Sequence, residues 1–339
     1  MLAGVLSTLA SLACAEVVGN GVGERVDDGT GHYFYIAADG ASAQFTYLAN
    51  DSTNATAYRD SLVVPDLVIS HATFRPVPVT GVTALACAGC DSLTSVVLPE
   101  GVTSIGLGAF SACTALRQVT LPSTLTEMQD VVFYCDSALT QVCLPASLRR
   151  VAAGTFAFCT QLDSVRVRNG LRSIAHRAFY YCPSLRQISI PATVGAIGEY
   201  AFAYCTGLQQ IAIGGSPIAV TPDVFEGVDV SACRLLVPTE YVEAYREAEV
   251  WCDFMIEADV FEDLPEVEWQ DDYDAFTYQV QGDQLLLTVM GDAPALVYDQ
   301  LGRRIAVAPS HSEDVSVSFP SSSIYIIRCG RRALTLMHP

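Results

Sequence analysis

The sequence predicts a solenoid of stacked 23-residue coils, each a β-strand joined to a short turn or helical segment. Three observations carry that prediction. One slot reads Cys87, Phe110, Phe133, Phe156, Phe179, Phe202 and Phe225. Three residues further on, a second reads Cys90, Cys113, Asp136, Cys159, Cys182, Cys205 and Val228. A third holds Leu93, Leu116, Leu139, Leu162, Leu185 and Leu208. The register runs without a slip from 79 to 214. A fixed period in this range means that each repeat is one supersecondary unit, burying its apolar face against the next. Such arrays bind along a surface more often than they enclose a catalytic pocket.

Ahead of the array, residues 1–15 form a short apolar run ending Ala13-Cys14-Ala15, an A-x-A pattern of a secretory signal that lacks the usual positive start. A lipid on Cys14 is the alternative, though Ser11 stands where an aliphatic is expected. Residues 16–78 are rich in small and polar side chains and are expected to form an N-terminal β cap, since the first coil of a solenoid would otherwise expose apolar surface. Within it Ser61 to Pro65 resembles the strand end of a repeat, and Leu67–Ile69 with Phe74–Val79 reads as a hairpin.

The repeats occupy 79–238. The cleanest copy runs Val102-Thr103-Ser104-Ile105-Gly106, then Ala109-Phe110, Cys113 and Leu116 to Pro122. Val119 and Leu121 alternate with Gln118 and Thr120, a strand signal with the apolar pair inward. Proline ends the strand, because it cannot donate to a ladder. Met128, Val151, Ile174 and Ile197 stand where Ile105 does. A seventh copy is read as carrying about four extra residues, Val228 to Ser231.

The Leu-x-x-Val-x-Leu-Pro strand, followed by Val-Thr-Ser-Ile-Gly-x-x-Ala-Phe-x-x-Cys, resembles the BspA-like (treponemal-type) leucine-rich repeats. The departures are Cys87 for Phe, Asp136 for Cys, and Arg168 and Gly214 for Pro. An unpaired interior carboxylate is costly, so Asp136 is expected either to reach solvent or to bond a turn amide. The resemblance implies a secreted or surface-displayed binding protein engaged in adhesion to host matrix proteins or other cells.

Beyond the repeats, 239–264 is expected to be a helical C-terminal cap, with Val242, Tyr245, Ala248 and Trp251 on one face. Residues 265–275 continue an acidic run, read as a solvated linker or, from Asp271, Asp272 and Asp274, a calcium site. Residues 276–339 read as a small Ig-like β-sandwich with strands at 276–280, 285–289, 295–298, 315–319 and 324–328. Val297 to Arg303 and Ser323 to Arg328 resemble the C-terminal sorting domain of type IX secretion cargo, although Ser323 replaces a Gly and the tail lacks a basic strand.

The chain holds 12 cysteines, which in an exported protein usually pair. Here five share one slot on coils about 4.8 Å apart, beyond the usual Cβ separation of a disulfide. They are read as buried thiols behaving as small hydrophobes, with any disulfide drawn from Cys233, Cys252 and Cys329. No His or second Cys recurs at a ligand spacing, so no metal and no cofactor is expected.

A net charge of −19, with all 18 basic residues Arg, disfavours nucleic acid. No run reaches the length of a membrane span. The five histidines lie near no nucleophile motif, and Gly106-Leu107-Gly108 reads as a turn, so an enzyme is not expected. Three surface features remain. Outward strand positions carry Ser95, Gln118, Gln141, Ser164, Gln187 and Gln210, beside Val97, Thr120, Cys143, Arg166, Ser189 and Ala212. Arg149, Arg150, Arg166, Arg168, Arg172, Arg177 and Arg186 face a single acid, Asp163, giving a local balance of +6 that suits an acidic partner, a sulfated glycan or the chain's own acidic run. Phe158, Tyr181 and Tyr204 repeat at one slot, flanked by Tyr134, Tyr180 and Tyr200. That aromatic ladder reads either as packing between coils or as a platform for a protein or a glycan. The sequence thus points to a monomer at the outer surface, binding a protein partner, with glycan binding or a passive spacer role as alternatives.

Overall fold

The structure, a computed structural model, describes residues 23–28, 32–46 and 58–259, and seven strands between 276 and 337. The signal at 1–15, Cys14 and the acidic run at 265–275 lie outside the described residues. The chain divides into two compact units, the first carrying the repeats and the second the strands from Phe276 onward.

Each Leu-x-x-Val-x-Leu segment forms one strand of a nine-stranded parallel main sheet. Its order follows the chain: Asp60–Val63, Leu93–Val97, Gln118–Thr120, Gln141–Leu144, Ser164–Val167, Gln187–Ile190, Gln210–Ile213, Arg234–Pro238 and Met255–Asp259. The 23-residue period becomes register directly, since Gln141 pairs with both Gln118 and Ser164, and Gln187 with Gln210. Alternation does the sorting: in Gln187–Ile190, Ile188 and Ile190 are buried while Gln187 is exposed. Gln210 pairs with Arg234, one residue beyond the period. The last coil therefore carries one extra residue, where four were expected. Phe225 still stacks on Phe202, so the extra residue falls after Phe225, in the stretch holding the short 3-10 turn Val230–Ala232.

The stretch Ser61–Pro65 does join as a strand end, with Ser61 opposite Ser95 and Val63 opposite Val97. The hairpin also forms, Leu67–Ile69 against Pro76–Val82. Phe74 stands in its turn, 81% exposed, so the second strand starts two residues later than expected. Glu24 anchors this hairpin, accepting from the Ser70 hydroxyl at 2.6 Å and the Ala72 N–H at 2.8 Å.

A second sheet, absent from the sequence reading, runs through the Ile slot. Strands Ser104–Ile105 and Glu127–Met128 extend it from Pro76–Val82, which pairs on its other side with Ala43–Thr46. Arg150–Val151, Ser173–Ile174 and Ala196–Ile197 form a separate three-stranded ladder. The sheet is thus interrupted between Met128 and Val151. Just past the gap, the Asp130 carboxylate accepts the Ala153 N–H at 3.0 Å.

Between the sheets lies one continuous core. Phe110, Phe133, Phe156, Phe179, Phe202 and Phe225 stack with centroids 5.4–5.7 Å apart and planes within 9°. Each such pair contributes about 0.5–1.5 kcal/mol beyond its burial. Trp251 and Phe254 close the column edge-on against Phe225. The helix expected through Trp251 spans only Val242–Glu247, because Ala248 is extended and Val250 has φ 70°. Tyr245 and Trp251 are nonetheless buried, donating to the Gly215 and Ile218 carbonyls at 3.1 and 2.6 Å.

The thiol slot is unbridged, and Cys233 and Cys252 are free as well. The thiols do more than fill space. Cys113, Cys159, Cys182 and Cys205 each place Sγ 3.1 Å from a carbonyl of the preceding coil, as an S–H donor. Burial pushes Cys159 and Cys182 well above the ordinary thiol range. Asp136, in the same slot, is fully buried. Of the two outcomes expected for it, the turn amide is realised: Oδ1 accepts the Cys113 N–H at 2.8 Å. Oδ2 has no partner, and burial raises the carboxyl well above its usual range.

In the second unit, Phe276–Gln281, Gln284–Val289 and Ser312–Ser318 make one antiparallel sheet. Arg304–Ala308, Ala295–Asp299, Ile324–Cys329 and Arg332–Met337 make another. Two of these strands, Arg304–Ala308 and Arg332–Met337, were not expected.

Candidate functional site

Parallel pairing gathers the outward strand positions into two rows. Ser61, Ser95, Gln118, Gln141, Ser164, Gln187, Gln210 and Arg234 succeed one another in register. In the adjoining row Val97 faces Thr120, Cys143 faces Arg166, and Ser189 faces Ala212. Hydroxyls and amides spaced by one coil offer a repeating set of donors and acceptors on a rigid backbone. The row closes on itself at both ends. Ser95 donates to Ser61 Oγ at 2.8 Å. Arg234 donates to Gln210 Oε1 at 3.1 Å and forks onto both Glu257 oxygens at 3.0 and 2.6 Å. The Arg234 hydrogen bonds lower the Glu257 pKa. Gln210 is therefore engaged within the sheet, while Gln118 and Gln187 are exposed and Gln141 is half-buried.

The seven arginines do not form one patch. Arg166 lies on the main sheet, with Arg168 just past its own strand and Arg186 just before the next. Arg150 belongs to the second sheet, where Arg172 N–H bonds the Arg149 carbonyl at 2.8 Å. Arg177 sits between two tyrosines, its guanidinium 5.4 Å from the ring centroids of Tyr180 and of Tyr200. Only Arg166, Arg168 and Arg186 flank the polar rows.

The aromatic residues assemble elsewhere on the coil, in the turns around the Phe slot. Phe158 lies 5.4 Å from Tyr181 and 5.5 Å from both Tyr134 and Tyr180. Tyr204 lies 5.5 Å from Tyr180 and 6.3 Å from Tyr181. Exposed His176 meets Tyr200 edge-on at 6.0 Å. These rings are tilted or T-shaped, unlike the parallel column inside.

Two positions per coil in these turns are left-handed, a feature that sequence reasoning missed. One slot comprises Leu85, Gly108, Val131, Gly154, Arg177 and Tyr200. The other comprises Gly89, Ala112, Cys135, Phe158, Tyr181, Tyr204 and Gly227. Glycine adopts this conformation freely, whereas an L side chain pays about 1–2 kcal/mol. Where Gly227 stands, a Cβ would also come within 2.7 Å of the Tyr204 ring.

Among the described residues no group of His, Cys, Asp or Glu is arranged to hold a metal ion. None of the described helices is long and apolar enough to cross a membrane. A cavity of about 310 Å³ near the last coil is lined by Pro222, Phe225, Val228, Val230, Val250, Glu249 and Asp253.

Coil, register and column together define a leucine-rich-repeat solenoid. Residues 81–235 match the BspA type leucine rich repeat region in six copies. No curated protein matches the chain. Among solved structures, a leucine rich cell surface protein from Faecalibacterium prausnitzii is 22% identical, covering 65% of this chain and 72% of its own, with a TM-score of 0.46. A leucine rich repeat protein of T. pallidum is 25% identical over 52% of this chain and 86% of its own, TM-score 0.38. One from Bacteroides capillosus is 27% identical over 42% and 98%, TM-score 0.36.

Proposed function

We propose that the chain is a secreted or cell-surface protein that binds a protein partner, a host matrix protein or a protein of another cell, through the outward face of the main sheet. The in-register row from Ser95 to Gln187 carries this reading. Uncharged donors and acceptors at one coil spacing suit the backbone of an extended or edge-strand partner, and Arg166 and Arg186 beside them add electrostatic steering. No comparable constellation for catalysis accompanies them among the described residues.

The remaining parts fit surface display. Residues 1–15 act as an export signal, 16–78 and 239–264 shield the two ends of the array, and 265–275 spaces it from an Ig-like sandwich at 276–339 that serves as a type IX sorting domain. The protein acts as a monomer.

The test is binding of the purified chain to immobilised extracellular-matrix proteins and to intact cells, over a range of salt. Arg166→Glu with Arg186→Glu is expected to weaken binding and flatten its salt dependence. Binding unchanged in both respects removes the main-sheet face from the reading. Cell fractionation of the producing bacterium checks display, with the protein expected in the outer-surface or extracellular fraction.

A further inference from the structure

Each coil turns two core positions inward, three residues apart. On the later coils these positions pair a Phe with Cys113, Asp136, Cys159, Cys182, Cys205 or Val228. The first coil alone supplies two thiols, in the sequence Cys87-Ala88-Gly89-Cys90. A C-x-x-C pair is a redox motif where its surroundings favour one thiolate. Here the backbone brings the pair together. The Cys90 N–H bonds the Cys87 carbonyl at 3.1 Å, and such an i to i+3 bond holds the two Cα atoms within about 7 Å. Disulfides span Cα separations of about 4.4–6.8 Å. Gly89 takes the left-handed position of the turn at φ 74°, which glycine does without strain.

A third thiol completes the cluster, and all three are fully buried. Cys113, on the next coil, places Sγ 3.1 Å from the Cys87 carbonyl. The Cys90 sulfur is in hydrogen-bonding contact with the Cys113 and Cys87 side chains and accepts the Tyr58 N–H. These donors, Cys113 foremost, hold Cys90 well below the ordinary thiol range, while burial raises Cys87 and Cys113. An anion in an apolar core is costly, and joining the two sulfurs removes it. Cys90 and Cys113 are the wrong partners, because neighbouring coils lie about 4.8 Å apart and disulfide Cβ atoms about 3.5–4.5 Å. Cys182 and Cys205, whose side chains also meet across two coils, are disfavoured for the same reason.

We infer that Cys87 and Cys90 form a redox-active dithiol, a covalent site that closes to a disulfide by exchange with a low-molecular-weight disulfide. The Cys90 thiolate attacks one sulfur of the reagent, forming a mixed disulfide and expelling a thiolate. Cys87 then gives up its proton, its sulfur attacks that of Cys90, and the second thiolate leaves. Two electrons and two protons pass from the pair to the reagent, which departs as two thiols. Because both sulfurs are buried, exchange waits on opening of the turn or precedes its closure during folding.

Reduced and oxidised glutathione in graded ratios are the probe. The full chain meets them in urea and is then diluted in the same mixture, so that the buried sulfurs have access before the coils close. After acid quenching and alkylation, trypsin leaves Cys87, Cys90 and Cys113 in one peptide, residues 60–117, whereas a Cys182–Cys205 bond would join two peptides. The 60–117 peptide is expected to lose two hydrogens at Cys87 and Cys90 and to carry the alkyl group on Cys113. Closure is expected at glutathione ratios at least about tenfold more reducing than any that join Cys182 to Cys205. Cys113→Ala is expected to close the bond as the wild type does, and Cys87→Ala to leave the peptide without one. The oxidised chain is expected to keep the circular dichroism of the untreated protein. The proposal is overturned if Cys87 and Cys90 are both alkylated under oxidised glutathione alone, or if Cys113 enters the bond. Closure of Cys182–Cys205 at the same ratio, or loss of the native spectrum on oxidation, would overturn it equally.

Discussion

Asp136 is the one carboxylate in a slot otherwise filled by thiols and a terminal valine, and replacing it reads out the cost of its burial. Its Oδ2 lies in the core without a partner, an omission worth about 1–3 kcal/mol. Asp136→Cys brings back the S–H donor that four neighbouring coils aim at a carbonyl. The Cys113 N–H, now held by Oδ1, reverts to the carbonyl three residues back, as Cys159 N–H does to Phe156 at 3.2 Å. The gain expected at pH 7, with reductant present, is about 2 kcal/mol. The pH dependence is sharper evidence. Unfolded Asp136 ionises near 3.8, while the folded carboxyl keeps its proton to a higher pH. The folded state therefore holds the extra proton across that interval. Stability falls as pH rises from about 3.8, by up to about 1.4 kcal/mol per pH unit, and levels once the folded group ionises. Asp136→Asn keeps the acceptor for Cys113 N–H and removes the titration. Urea denaturation of wild type, Asp136→Asn and Asp136→Cys between pH 4 and 8 should show the wild type losing ground to both variants as pH rises. Parallel profiles would refute the reasoning.

Further outcomes follow from particular residues. Val131→Asn, which suits a left-handed position (φ 53°) better than a β-branched side chain, should raise stability by about 1 kcal/mol in chemical denaturation; a loss would show the position to be unstrained. Trp251→Ala uncovers Phe225 and forfeits the bond to the Ile218 carbonyl, a destabilisation of about 3–5 kcal/mol that should appear as faster hydrogen exchange in Arg234–Pro238. In a thiol-labelling time course read by mass spectrometry, exposed Cys143 and Cys252 should react at once. The buried thiols Cys113, Cys159, Cys182 and Cys205 should react only on unfolding; prompt labelling of those four would mean that the core column breathes.

The array was legible in the sequence because its interior is coded by identity: Phe on Phe, Leu on Leu and Cys on Cys repeat at one spacing. The main-sheet rows followed, since a fixed period in a parallel sheet converts position in the repeat into register. The left-handed slots left no such trace. Gly, Ala, Leu, Val, Cys, Arg, Phe and Tyr all occur there, because the backbone bond pattern of the turn, repeated from coil to coil, holds the conformation whatever the side chain. The second sheet escaped for lack of length, with most of its repeat strands two residues long. Met255–Asp259 was hidden by the acids within it, and Arg304–Ala308 and Arg332–Met337 by the arginines that open them. The arginine cluster misled for a different reason. Sequence proximity within a 23-residue coil says little about which side of the coil a residue occupies.

The gap in the second sheet between Met128 and Val151 has a mechanical meaning. Coils on either side share both ladders, whereas this junction is stitched by the main sheet, the Phe column and a few turn bonds. Under tension applied along the stack, this junction should be weaker than the ones immediately before and after it. A protein stretched between two anchored surfaces would then yield here before it yields at either neighbouring junction.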